Sequence, residues 1–222
     1  MDQQHSVEHA DDQARAAEAL GFATAFEACA AAFLNEPDET LVEKVRLVAQ
    51  AVGNHGFDDV AADADLKQRY ADRVFVTSSP YHVPLLESCI AGSAADEHGV
   101  VRYGPSQSNR GDHVFRCYKA LQFDIDGLPG SPVAVKSLKA DGLAAELAFL
   151  AFMKGNEAAS WQMGDRASAK RWHEFARTFA REHANAWVST AAKWLALTDD
   201  DFYAKACDLA AETVAAVAKE EL

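Results

Sequence analysis

Apolar residues recur at three- and four-residue spacing along most of this chain, the period that gathers side chains on one face of an α-helix. Ala16, Leu20, Ala23, Phe26, Ala30 and Phe33 form such a stripe and predict a helix over 12–34. Asn35-Glu36-Pro37-Asp38 breaks it, because Pro37 cannot continue a helix. Leu41, Val45, Val48 and Val52 predict a second helix over 38–52, closed by Gly53 and Gly56. A third covers 60–75, with Leu66, Tyr70 and Phe75 inward. Pro84, suited to a first turn, can open a short helix through Ile90.

The stretch 92–111 is polar and Gly-rich and predicts a mobile loop or hinge; 113–123 returns to helix, and 126–130 turns the chain again. Over 137–154 the pattern changes. Leu143 to Met153 carries one charge, Glu146, among apolar residues, and a helix apolar all round is a buried one. Residues 165–196 predict a long amphipathic helix, with Trp172, Phe175, Phe179, Trp187 and Trp194 on one side and Arg166, Lys170, Arg177 and Arg181 on the other. Thr198-Asp199-Asp200-Asp201 is a good N-cap for a last helix. The only β-like scraps are 100–103 and 133–135. The fold expected is all-α: a single globular helical domain of about eight helices over 12–222, with two lobes hinged near 92–136 as one option. Residues 1–11 read as a disordered lead-in.

Composition agrees with helix. Ala is abundant, while Pro (6) and Gly (12) are few in 222 residues. The net charge of −13 repels phosphate backbones and anionic lipid, which argues against nucleic-acid partners and favours basic ones. The N-terminus lacks the basic and apolar regions of a secretory signal, and no unbroken apolar run approaches the ~20 residues that span a bilayer. Cytoplasmic location without membrane insertion is the expectation.

Candidate chemistry is sparse. Cys29, Cys89, Cys117 and Cys207 form no CxxC pair and read as small buried hydrophobes. His5 and His9, four apart, could share a helix face as metal ligands but have no third ligand nearby; His82, His98, His113, His173 and His183 show no ligand spacing. No nucleophile elbow, dinucleotide fingerprint or Walker sequence occurs. The loop 104–111 superficially resembles a phosphate cradle without its Lys, so a small helical nucleotide-binding or hydrolysing enzyme is the alternative function; a helical module without any ligand groove is another. Glu146 draws attention because a buried carboxylate needs a partner, either as a link between core helices or in a polar ligand groove. Asp141, five residues earlier, lies about 140° away around a helix and belongs near its start.

Three runs carry a family resemblance. Tyr70-Ala71-Asp72-Arg73-Val74-Phe75, then Pro80 and Pro84, then Leu86-Glu87-Ser88-Cys89-Ile90 is the first. Asp141-Gly142-Leu143-Ala144-Ala145-Glu146-Leu147-Ala148-Phe149-Leu150 is the second. Phe179-Ala180-Arg181-Glu182-His183-Ala184-Asn185-Ala186-Trp187 is the third, and Phe202-Tyr203 opens the last helix. In order and spacing, from about 14 to 217, these resemble the TorD/DmsD/NarJ family of redox-enzyme maturation chaperones. Two departures stand out: Gly142 replaces the family's His, and Leu138-Lys139 replaces its Glu-Pro. The resemblance implies an all-helical cytoplasmic chaperone, without cofactor or catalysis. Its partner would be the precursor or catalytic subunit of a molybdenum-dependent oxidoreductase, held through its twin-arginine leader or another part. It implies a peptide-binding role for Asp141, Glu146, Glu87, Ser88, Leu143 and Tyr70, and a monomer or helix-exchanged dimer hinged within 92–136.

Overall fold

The structure, a computed structural model, describes the backbone of residues 2–221 and the side chains of 10–221. The elements run α1 (Asp2–Leu34), α2 (Glu39–Ala51), α3 (Ala64–Val74), α4 (Glu87–Ile90), β1 (Ala94–Ala95), β2 (Val101–Arg102), α5 (Asn109–Ala120) and α6 (Pro132–Ser137). Then come α7 (Leu143–Gln162), α8 (Arg166–Glu182), a 3-10 turn (Ala184–Ala186), α9 (Val188–Thr198) and α10 (Phe202–Lys219). The chain is all-α, with β1 and β2 a two-residue antiparallel pair that closes the 94–102 hairpin.

The helices start where short acidic or hydroxyl side chains can hold the free N–H groups of a first turn. Asp38, Asp63 and Asp165 each accept from the backbone N–H three residues on, and Asp201 accepts from both Tyr203 and Ala204. Asp38 Oδ1 meets Leu41 N at 2.8 Å. Asp38→Ala is expected to cost about 1 kcal/mol, read as a lower urea midpoint at unchanged slope.

α7 is the central helix, buried on almost every side from Leu143 to Met153 as its uniform apolarity predicts. Its most extensive partner is α1, which presents Ala19, Ala23, Phe26 and Ala30. Small side chains at such a crossing let two backbones approach closely. α8 covers another side of α7, and the α9–α10 pair completes the layer around α1. By length and composition Ala10–Leu34 could cross a membrane, although Glu18 and Glu27 interrupt its apolar run. In the fold it is a core helix.

Several elements differ from their expected form. α1 begins at Asp2, over the stretch read as a lead-in; the side chains of His5 and His9 lie outside the described ones. The expected 165–196 helix is interrupted because His183, at φ −118° and ψ −86°, leaves helical geometry and admits the 3-10 turn. α7 starts at Leu143 rather than 137, after a separate α6 that takes up the β-like 133–135 behind a Ser131 cap and Pro132. α5 starts at Asn109, capped by Ser108, rather than at His113. Its Val114 and Tyr118 are fully buried in the main core cluster, so α5 packs into the same core as α7. Leu20 and Val52, placed on inward stripes by spacing, are exposed instead. Together with Leu47 they line an apolar groove of about 860 Å³ between α1, α2 and α10. Phe75 is also 38% exposed, held edge-on against Tyr70.

Candidate functional site

Three segments far apart in sequence meet at the start of α7. Gly142, extended at φ −84° and ψ 146°, makes an isolated antiparallel bridge with Leu86. The chain before α4 therefore runs alongside 141–143: Glu87 N donates to Asp141 O at 2.8 Å and Leu143 N to Leu85 O at 3.0 Å. The Asp141 carboxylate accepts from Ser88 N at 3.1 Å, satisfying a donor that the first turn of α4 leaves open. A Cβ on Gly142 would lie 3.0 Å from Lys139 O. Any side chain at 142 would thus require Lys139 O to give way by a few tenths of an ångström.

Glu87 is fully buried and uses both carboxylate oxygens. Oε1 accepts from Arg110 Nη1 at 2.7 Å, and Oε2 pairs with His183 Nδ1 at 2.9 Å. Burial alone would raise this acid. The hydrogen bonds and charges of His183 and Arg110 outweigh it and hold the carboxyl below the usual glutamate range. The chain of contacts continues outward: His183 Nε2 lies 2.8 Å from His113 Nδ1, and the two rings stack with centroids 4.9 Å apart.

Glu146, on the first turn of α7, is also fully buried but differs in charge. Its Oε2 accepts from Trp187 Nε1 at 3.0 Å, while Oε1 has no hydrogen-bond partner. Burial above all, then the neighbouring Glu87 carboxylate, push its pKa well above the ordinary value. Glu146 is a core acid joining α7 to the segment before α9, out of reach of solvent.

Beside this cluster lies an open groove of about 580 Å³ between 106–112 and 139–141. Asp112 stands exposed on one wall and Asp141 lines the other, with Ser106, Ser108 and Lys139. Gly111 lets α5 come close, since a Cβ there would already touch the Asp141 carboxylate at 3.4 Å. The preceding loop has little in common with a phosphate cradle. Gly104 is there for packing: its N–H donates to Cys89 O, and a Cβ would lie 2.6 Å from Ser88 O.

Of the residues the resemblance singled out, Asp141, Glu146, Glu87, Ser88 and Leu143 come together, with Leu143 in the core at 2% exposure. Tyr70 does not join them; it is buried on α3 against the Tyr203 ring of α10, 6.1 Å between centroids. Sequence reasoning missed Arg110, His113, His183 and Cys117 as neighbours. The His113/Cys117 spacing of four on one helix was the available signal, but His183 lies 70 residues further on. Compared with protein-family models, curated proteins and solved structures, the chain shows no match.

Proposed function

We propose that this protein is a cytoplasmic binding protein, a chaperone that captures a basic, partly apolar segment of a molybdenum-cofactor oxidoreductase precursor, its twin-arginine leader foremost. One observation carries the reading. The three sequence runs that resemble the chaperone family meet in one hydrogen-bonded cluster: Glu87 and Ser88 from the first, Asp141 and Glu146 from the second, His183 and Trp187 from the third. Residues spaced along a chain as a family pattern gain meaning when they share a place.

The groove beside the cluster supplies a suitable chemistry. Asp112, exposed on its wall, offers a carboxylate to guanidinium groups, and charge-assisted bonds of that type are strong and directional; Asp141, 4% exposed with Oδ2 held by Ser88 N, lies behind the opposite wall. The overall charge of −13 draws a basic segment inward from a distance. The same carboxylates disfavour a nucleotide phosphate, and Arg110, the cation the nucleotide reading would need, is engaged with Glu87.

Titration calorimetry with synthetic twin-arginine leaders from the molybdenum enzymes of the same organism tests this. Asp112 is exposed on the first turn of α5, and circular dichroism checks that Asp112→Lys is folded. At least one leader is expected to bind, with affinity falling tenfold or more for Asp112→Lys and for a leader whose paired arginines are alanines. Binding of no leader, or binding indifferent to both changes, overturns the proposal.

A further inference from the structure

We propose that His113, Cys117 and His183 form a binding site for a zinc-class divalent transition-metal ion, with Glu87 as the carboxylate that orients His183. A ligating nitrogen of each histidine and the Cys117 sulfur all lie within 4.8 Å of one another. α5 presents His113 and Cys117 one helical turn apart on the same face. His183 reaches them from the C-terminal end of α8, where the helix stops.

The second layer of the site is what separates it from a chance cluster. A metal-ligating histidine characteristically gives its other ring N–H to a carboxylate, which fixes the ring and its tautomer. His183 Nδ1 is 2.9 Å from Glu87 Oε2, and Glu87 is in turn held by Arg110 at 2.7 Å. That leaves Nε2 as the ligating nitrogen of His183; here it is hydrogen-bonded to His113 Nδ1 at 2.8 Å. A tetrahedral ion with bonds of about 2.0–2.1 Å to nitrogen would need the two nitrogens spread to roughly 3.3 Å. His113 is exposed on its outer side and can turn by that amount. Two imidazoles and a thiolate suit zinc and its neighbours over magnesium or calcium, and a three-residue set leaves a fourth position open.

Protons balance simply. Cys117 gives up its thiol proton to bind, and the proton between His183 Nε2 and His113 Nδ1 must vacate that space: it moves to His113 Nε2 when His183 starts neutral, so one proton leaves per ion bound, and it leaves as well when His183 starts as an imidazolium, so two leave. Bound metal would fasten α5 to the end of α8 immediately beside the Asp112 groove, although the site stands independently of what that groove binds.

The test is titration of the full chain with Co²⁺, then Zn²⁺. The expected result is one equivalent of cobalt with intense tetrahedral visible bands and a thiolate-to-cobalt charge-transfer band, displaced by zinc. Cys117→Ser should abolish the charge-transfer band, and His113→Ala should weaken zinc binding at least tenfold. Both positions are accessible enough to keep the fold, which circular dichroism checks. A cobalt spectrum without the thiolate band, such as the His5 and His9 pair would give, overturns the proposal. So does a His113→Ala/Cys117→Ser protein that binds zinc as tightly as wild type.

Discussion

Arg73→Ala is expected to lower the unfolding free energy by about 3–5 kcal/mol, the range for removing one partner of a buried ion pair. Arg73 is 2% exposed, on α3, and every arm of its guanidinium is used. Nε donates to Asp201 Oδ2 at 2.9 Å; Nη1 donates to Tyr81 O at 2.7 Å and Thr198 Oγ1 at 2.5 Å. Nη2 reaches Asp199 O at 2.8 Å and Leu195 O at 3.3 Å. Leu195 O lies in the last turn of α9 and also accepts from Asp199 N, while Asp199 O belongs to the residue that closes the helix. Asp201 meanwhile caps α10, so one guanidinium ties α3 to the α9–α10 junction and steadies the cap. Arg73→Ala removes the donor shared by several part-buried acceptors and the cation nearest the Asp201 carboxylate. Arg73→Lys keeps the charge but not the planar fork, and should lose less than Ala and more than a surface change. Urea unfolding followed by the fluorescence of the four tryptophans measures both. A loss under about 1 kcal/mol for Arg73→Ala would contradict this account.

The second large effect is on pH dependence. Glu146 has a folded-state pKa raised above its unfolded one, so the native state holds a proton the unfolded chain releases. The stability associated with that proton is fully present below the unfolded value, about 4.3, and is lost as pH rises toward the folded pKa. Across that window the slope approaches about 1.4 kcal/mol per pH unit. Glu146→Gln keeps an oxygen acceptor for Trp187 and removes the titration. Its stability relative to wild type should therefore climb as pH rises above the unfolded value, whatever the offset from placing an amide in the pocket. Glu87 behaves in the opposite sense: its lowered pKa means a contribution present above the unfolded value and lost on the acid side. The two windows do not coincide, and urea curves at several pH values separate them. Parallel pH profiles for Glu146→Gln and wild type would show that Glu146 is ionised in the native state.

Local features were legible in the sequence where a local rule decides them. The Asp201 cap, the break at Pro37 and the burial of Leu143 to Met153 all follow from a few neighbouring residues. The interruption at His183 was not, because periodicity runs through it unbroken; the residue leaves helical geometry where its ring engages Glu87 and His113. Leu20 and Val52 fit an inward stripe by spacing, yet no element covers them, and spacing cannot tell whether a partner exists. The candidate site was half legible. Glu87, Ser88, Asp141 and Glu146 were found through the family resemblance. Arg110 and Arg73 acquire their roles from partners 23 and more than 120 residues away, contacts that only the tertiary fold creates.

The chaperone reading is tested most directly by affinity capture of the tagged protein from anaerobically grown cells of its own organism. Bound proteins would be quantified by mass spectrometry against a tag-only control and against the Asp112→Lys protein. The account predicts enrichment of one molybdenum-enzyme catalytic subunit with its leader still attached, depleted by Asp112→Lys. A folded protein that enriches no such subunit, or enriches it equally with Asp112→Lys, would contradict it.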